Sequence, residues 1–230
     1  MKRRLVVFAL VVSAVLSLNR TAGADPPMEL ENRLHECVRV IRDVMEAPDG
    51  SIPADLLRRS KGIIIFPAVL KAGLGVGGHY GTGVILRRDP GTSKWGPPAF
   101  ITLIGGSFGW QIGVQSTDLV LLVMTDVGLK SLFHNRLTLG ADASVAAGPV
   151  GRDASASTDV NLSAGILSYS RAKGIFIGIS VKGSIIEPDW DANESYYGSD
   201  ASLIDIFFRG RGKVSPAGRE LLRLLNTYSR

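Results

Sequence analysis

The sequence predicts one α+β domain: a glycine-rich, curved antiparallel sheet, barrel-like or sandwich-like, with helices at the N-terminus, in the middle and at the C-terminus. Three observations predict it. Short apolar runs between turn signals fill residues 62–186, helical periodicity lies outside them, and no linker divides the chain. Residues 62–113 hold 13 of the 27 glycines. Because glycine weakens regular strands, this density predicts bulges, tight curvature or close backbone approach.

The first 24 residues have the three parts of an export signal. A basic segment, Lys2-Arg3-Arg4, precedes a charge-free apolar run, Leu5 to Leu18, and then the small residues Ala22-Gly23-Ala24. As a helix the apolar run rises only about 21 Å, short of the roughly 30 Å hydrocarbon core of a bilayer. We therefore expect cleavage after Ala24, export to the periplasm or cell exterior, and a single domain over residues 25–230. A short uncleaved anchor is the alternative.

Charge and cysteine content exclude several classes of function. The net charge of +5 comes mostly from the leader: removing its 4 basic residues leaves 22 basic against 21 acidic residues. A nucleic-acid-binding domain is usually basic throughout, so we expect no nucleic-acid partner. One cysteine, Cys37, and three scattered histidines cannot form a thiolate-rich metal site, and neither a metal nor a cofactor is predicted. Cys37 is expected to be a buried helix residue.

Helical periodicity is strongest in residues 28–47. Its apolar side chains recur at spacings of four, four, three and four residues; we call them the apolar stripe: Leu30, Leu34, Val38, Ile41 and Met45. The stripe packs on the core or lies on a membrane surface. The polar face mixes both charge signs, whereas membrane-surface helices are usually rich in Lys and Arg.

Shorter helices and the strands follow. Helices are predicted over 51–60, over 125–134 with Thr125 or Asp126 as its cap, and from Ser215-Pro216 to the C-terminus. Residues 202–208 fit either a helix or a strand. Separate strands are predicted in the apolar runs at 62–66, 81–88, 98–104, 108–115 and 118–124, and again within 138–151, 157–172 and 174–186.

Three motifs resemble functional sites. GLGVGG (73–78) fits a dinucleotide-binding pattern, but strand-like residues follow it where a helix is required. GGSFG (105–109) fits a nucleophile elbow and leaves open a serine hydrolase using Ser107 with His134, although no helix follows. DWDANES (189–195) resembles a calcium loop but lacks its glycine and terminal glutamate, so a polar loop with Asx turns is preferred. No catalytic residue is assigned.

A basic loop lies beside two aromatic residues. Phe207-Phe208 precede RGRGK (209–213), which contributes Arg209, Arg211 and Lys213. Such a loop can contact an anionic membrane, where each charge adds about 1 kcal/mol. A solvated linker before the last helix is the alternative.

Seven ordered blocks carry a resemblance to the SYLF-domain family. They are RSKGIIIFP (59–67), GGHYGTGV (77–84), WGPPAFI (95–101), GGSFGWQIGVQSTDLVLLVM (105–124), LGADASVAAGPVGR (139–152), YSRAKGIFIGISVKGSIIEPD (169–189) and the N-x-x-Y-Y-G of residues 193–198. The resemblance covers about residues 34–198. It implies a non-enzymatic lipid- and membrane-binding domain; eukaryotic members bind phosphoinositides, partly through an N-terminal amphipathic helix, and the yeast endocytic members also bind actin.

For an exported chain of bacterial type, the resemblance implies anionic phospholipid as the partner, and we expect no actin in that compartment. No protein partner is indicated. We expect the apolar stripe to enter the acyl boundary while Arg33, Arg39 and Arg42 meet phosphate groups, with the basic loop as an auxiliary contact. Because the stripe cannot face the core and the bilayer at once, this contact requires the helix to detach or tilt. A structural envelope protein acting only through protein contacts is a further alternative.

Overall fold

The computed structural model describes residues 27–47, 51–150, 164–172, 175–176, 181–199, 201–209 and 213–230, with the backbone alone at 74–76 and 107–113. The predicted export signal and Arg211 lie outside these ranges. The helices are α1 (Pro27–Met45), α2 (Ala54–Arg59), α3 (Asp126–Phe133), α4 (Trp190–Tyr197), α5 (Leu203–Phe208) and α6 (Pro216–Tyr228). The strands are β1 (Gly62–Arg87), β2 (Ala99–Val123), β3 (Leu137–Thr138), β4 (Val145–Ala147), β5 (Ile166–Ala172), β6 (Ile175–Phe176) and β7 (Ile185–Pro188).

The described strands form one strongly curled, half-barrel sheet, which confirms the predicted α+β class. The order is β3-β7-β2-β5-β4, with β1 paired to β2 and β6 to β5. All pairings are antiparallel except β4 with β5. The prediction of five separate strands over 62–124 is wrong. The glycine-rich segments between the apolar runs stay in the ladder and bend, with irregularities at Phe66/Val69 and Leu74/Val76, so β1 and β2 form one long ribbon.

Strand β1 folds back on itself. Near its ends the backbone nitrogen of Arg88 donates to the carbonyl oxygen of Lys61 at 2.9 Å. Further along, a β-carbon built at Gly83 would overlap the carbonyl oxygen of Ile65, and one at Gly81 would lie 3.1 Å from a methyl group of Val69. The glycines therefore allow the close backbone approach that the sequence predicted.

Helices cover both faces of the sheet. On one face α1, α2 and α6 pack with Ile63 and Ile65 into a single apolar cluster. On the other face α3 and α5 pack with Ile64 and Phe66. Burial on both faces explains why these strands read as continuous apolar runs instead of alternating ones.

Polar caps begin the later helices. The Ser215 hydroxyl accepts a hydrogen bond from the Gly218 nitrogen at 3.2 Å, with Pro216 in the first turn, as predicted. Residues 203–208 are helical, capped by Ser202. The interpretation of DWDANES as a polar loop is wrong: Asp189 caps α4, and Asn193 is buried and hydrogen-bonded to both backbone groups of Phe100. Asp189 therefore caps the helix, and Asn193 links the helix to β2.

Candidate functional site

The apolar stripe of α1 faces the protein core. Its first four members are buried and Met45 is partly buried against the same cluster. Helix α1 packs on α6 and β1 and also contacts α4. In this folded state the stripe is covered by protein, so its predicted contact with lipid requires α1 to leave the core.

The three arginines named with the stripe are engaged in ion pairs. Arg33 lies 2.9 Å from Asp189, Arg39 lies 3.2 Å from Asp118, and Arg42 lies 2.5 Å from Glu220. Arg39 also pairs with Glu36 and Asp43 on α1 itself. The mixed-sign polar face therefore fastens α1 to β2, α4 and α6. Phosphate binding by these arginines remains a prediction that competes with these pairs.

Cys37 lies on the buried face of α1, as predicted. Its side chain is fully buried and its Sγ is 4.0 Å from the carbonyl oxygen of Ile65. Burial raises the pKa of the thiol well above its usual range. An uncharged, covered thiol is a poor nucleophile, so Cys37 is a core residue and is protected from thiol reagents while α1 is docked.

The aromatic pair predicted as a membrane contact packs against α3. The rings of Phe207 and Phe208 lie 6.0 and 5.5 Å from that of Phe133. Phe208 is 54% exposed, and the guanidinium of Arg87 lies 4.3 Å from its ring centre. Arg209 pairs with Asp205 at 2.6 Å, and Lys213 is exposed ahead of α6.

Helices α3 and α5 together present apolar and cationic side chains to solvent. The exposed apolar members are Val127 (59%), Ile204 (45%) and Phe208. The cations beside them are Arg87, Lys130 and Arg136, and none of the three forms an ion pair within the described ranges. We call these six residues the α3/α5 surface.

An open pocket of about 360 Å³ lies on this surface, lined by Val127, Lys130, Ser131, His134, Arg136 and Asp142. The ring of His134 hydrogen-bonds to the carbonyl oxygen of Lys130 at 2.8 Å, and the Asp142 carboxylate accepts from the Thr138 nitrogen. Lys130 and Arg136 give the pocket two positive charges against the one carboxylate of Asp142, so the pocket can attract an anion. The pocket was not predicted, although Val127, Lys130, Ser131 and His134 share one face of a short helix by their spacing.

The motifs that resembled enzyme sites lie inside strands. GLGVGG is part of β1 and GGSFG is part of β2, with Ser107 opposite Gly77 in the ladder. Neither motif turns into a helix, so neither has the strand–turn–helix geometry that phosphate cradling or a nucleophile elbow requires. Among the residues that the structure describes, no three His, Cys, Asp or Glu side chains converge as a metal site.

One buried histidine joins the ribbon to the loop before β7. The Nε2 atom of His79 lies 2.7 Å from the Ser184 hydroxyl, which itself donates to the carbonyl oxygen of Val181 at 2.6 Å. Because the hydroxyl proton goes to Val181, Nε2 of His79 must be the donor. Burial, together with the charge of Lys71, lowers the pKa of His79 below 6.5.

This histidine should make stability pH-dependent. Because its pKa is lowered in the folded state, the unfolded chain binds more protons as pH falls through about 6.5, and stability is lost below that value. We expect the free energy of unfolding to fall more steeply between about pH 7.5 and 5.5 in the wild type than in His79→Gln, by up to about 1.4 kcal/mol per pH unit. Urea denaturation measures both slopes; equal slopes would contradict the assignment.

No helix within the described ranges is long and apolar enough to cross a membrane.

The chain is similar in sequence to proteins of one known family. Residues 104–228 match the family model Ysc84, described as "Las17-binding protein actin regulator". Protein YSC84 of Saccharomyces cerevisiae is 35% identical over 210 residues, which cover 87% of this chain and 44% of that protein. SH3 domain-containing YSC84-like protein 1 of Rattus norvegicus is 30% identical over 209 residues, covering 88% and 61%. LAS seventeen-binding protein 3 of S. cerevisiae is 33% identical over 210 residues, covering 87% and 45%.

The chain thus spans about half the length of the curated relatives it matches. The family match covers more than half of the chain, including most of β2, the strands after it and the helices from α3 to α6. It confirms the resemblance to SYLF domains. The chain is a member of the Ysc84 family.

Proposed function

We propose that this protein is a non-enzymatic peripheral membrane protein of the bacterial envelope, and that it binds anionic phospholipid through the α3/α5 surface. One observation carries the proposal. Three exposed apolar side chains lie on the two packed helices that also carry or adjoin three cations without ion-pair partners among the described residues. An apolar face that enters the headgroup boundary, with cations meeting lipid phosphates, is the usual chemistry of an interfacial site.

The expected strength suits reversible binding. Each cation near an anionic surface contributes about 1 kcal/mol, and full burial of an apolar side chain contributes about 1.5–3 kcal/mol. Because the apolar members are only about half exposed, the six residues together give on the order of 5 kcal/mol. Such binding weakens as salt screens the cations.

The folded state favours this surface over the apolar stripe of α1. Releasing α1 exposes six buried aliphatic side chains, at about 1.5–3 kcal/mol each, together with Cys37, and breaks its ion pairs with β2, α4 and α6. The α3/α5 surface needs no such rearrangement. We therefore propose that first contact uses the α3/α5 surface, and that the stripe and Arg33, Arg39 and Arg42 meet lipid only if α1 is later displaced.

The relatives that are named for a partner, such as LAS seventeen-binding protein 3, are roughly twice as long as this chain. The family is described by Las17 binding and actin regulation. We propose export with cleavage after Ala24, and in that compartment lipid takes the place of actin as partner. N-terminal sequencing of the protein from fractionated cells should read Asp25 first; a cytoplasmic chain beginning at Met1 would contradict the proposed location.

Co-sedimentation with vesicles tests the binding. We expect the chain from residue 25 to 230 to pellet with vesicles containing about one-third phosphatidylglycerol and to stay in the supernatant with pure phosphatidylcholine. Raising the salt to about 0.5 M should release most of it, because the Debye length shrinks to a few ångströms. Equal pelleting with both vesicles, or none with either, would contradict the proposed lipid class.

A further inference from the structure

The turn that ends α3 brings a histidine and an arginine to the pocket of the α3/α5 surface. Helix α3 ends in a Schellman motif, in which the backbone nitrogens of Asn135 and Arg136 donate to carbonyl oxygens of the last helical turn at 2.9 and 3.3 Å. Asn135 has a φ of 70°, in the left-handed region that asparagine tolerates better than most residues. The chain therefore reverses at Asn135, and Arg136 lines the same pocket as Lys130 and His134.

The imidazole ring of His134 is held through one of its nitrogens. Nδ1 lies 2.8 Å from the carbonyl oxygen of Lys130, and a carbonyl oxygen can only accept, so Nδ1 carries a proton. Nε2 is therefore the nitrogen that gains or loses a proton. Histidine side chains change their charge between about pH 5 and 8. Because His134 is exposed and lines the pocket, protonation of Nε2 adds a positive charge there.

Two cations and one carboxylate line the pocket beside this histidine: Lys130, Arg136 and Asp142. Neither cation forms an ion pair with any residue that the structure describes. A further cation, Lys182, is exposed next to Gly140, in the turn that also carries Asp142. A proton on Nε2 of His134 therefore gives the lining of the pocket three cations against one carboxylate.

The other carboxylates near α3 are directed away from His134. Those described on α3 and on the elements packed against it are Asp126, Asp118, Glu187 and Asp205. Asp205 pairs with Arg209, and Asp118 pairs with α1 on the other face of the sheet. Glu187 follows Ile186, which packs on the α3 side, so the side chain of Glu187 lies on the opposite face. Asp126 is eight residues before His134, about 12 Å along the helix.

Resting on the proposed function, we propose that this pocket binds the phosphate group of an anionic lipid and that His134 makes the binding depend on pH. Lys130 and Arg136 attract the phosphate, and the protonated Nε2 of His134 donates a hydrogen bond to one of its oxygens. Val127 lines the same pocket and is 59% exposed, which suits a phosphate attached to glycerol and acyl chains better than a free one. Acidic pH therefore strengthens binding.

Co-sedimentation with phosphatidylglycerol vesicles at about pH 7.5 and 5.5 tests the inference. The phosphodiester of this lipid keeps its charge over that range. One added cation at an anionic surface corresponds to about fivefold in affinity, so we expect the chain from residue 25 to 230 to bind about fivefold more tightly at the lower pH. His134→Gln should lose most of this pH dependence. His134→Arg, which is always charged, should bind about fivefold more tightly than the wild type at the higher pH.

His35→Gln is the matched control. His35 is exposed on α1, outside the α3/α5 surface, so its removal should leave the pH dependence intact. Circular dichroism at each pH checks that all the proteins stay folded. Glycerophosphate, compared with sodium chloride of the same ionic strength, separates a lipid phosphate from a soluble one. We expect it to release no more protein from the vesicles than the chloride does.

The outcomes separate this inference from the proposed function. Equal wild-type binding at both pH values, full pH dependence in His134→Gln, or its loss in His35→Gln would overturn the role of His134 while the proposed function stands. Greater release by glycerophosphate would overturn lipid as the occupant of the pocket. If the protein pellets with the vesicles at neither pH, the inference and the proposed function are both overturned.

Discussion

Gly83→Ala is expected to lower the free energy of unfolding by about 3 kcal/mol or more, and the melting temperature by about 6–12 °C. The added β-carbon would overlap the carbonyl oxygen of Ile65 and crowd the ring of Phe66. The backbone cannot move aside freely, because Ile65 is held in register opposite Val120. Urea denaturation followed by circular dichroism measures the change.

Gly106→Ala is the matched control. Gly106 lies in β2, and a β-carbon built there meets no atom within 4 Å. Neither glycine has a positive φ, so the two substitutions differ in the space available and not in backbone strain. We expect the control to change stability by less than about 1 kcal/mol. Equal losses at both positions would mean that strand propensity, and not close approach of the two halves of β1, explains the glycines.

The second large effect is on membrane binding. Val127→Ser, Lys130→Glu and Arg136→Glu together should weaken binding to phosphatidylglycerol vesicles by about 100-fold or more. Each reversal removes an attraction of about 1 kcal/mol and adds a repulsion of similar size, and the serine removes a half-exposed apolar contact. All three residues are exposed, so the fold should be unaffected. Co-sedimentation over a range of lipid concentrations measures the ratio of affinities.

A double variant with the same net charge change separates a local surface from general attraction. Lys94→Glu and Arg223→Glu reverse two exposed cations, one in the β1–β2 turn and one on α6. We expect less than about a threefold loss from this control, because the charges lie outside the proposed contact. Similar losses of binding in both variants would indicate that vesicle binding depends only on the overall charge of the protein.

The sequence predicted features that depend on residues close together in the chain. The spacing of Leu30, Leu34, Val38 and Ile41 predicted α1 and its buried face, and Ser215-Pro216 predicted the start of α6. It could not predict that GLGVGG joins two apolar runs into one strand. A glycine segment ends a strand or bends it depending on what lies opposite, and here the opposing strand is equally glycine-rich and follows the bend.

Apart from Phe208, the candidate site escaped prediction because its parts are far apart in the chain. Arg87 comes from the end of β1, Val127 and Lys130 from α3, and Ile204 and Phe208 from α5. Only the fold brings them onto neighbouring elements. The arginines of α1 show the reverse: they resemble lipid ligands in sequence, but their partners Asp118, Asp189 and Glu220 lie 79 to 178 residues away.

The central claim is that the folded protein binds lipid with α1 in place, and locking α1 tests it most directly. Arg42 and Glu220 join α1 to α6 through their side chains, so Arg42→Cys/Glu220→Cys can be bridged by a short bismaleimide while Cys37 stays buried. The same variant capped with N-ethylmaleimide on each thiol is the unlocked control. We expect locked and unlocked proteins to bind phosphatidylglycerol vesicles within about twofold of each other, because the α3/α5 surface is exposed without release of α1. Loss of binding only in the locked protein would contradict the claim and assign the contact to the apolar stripe.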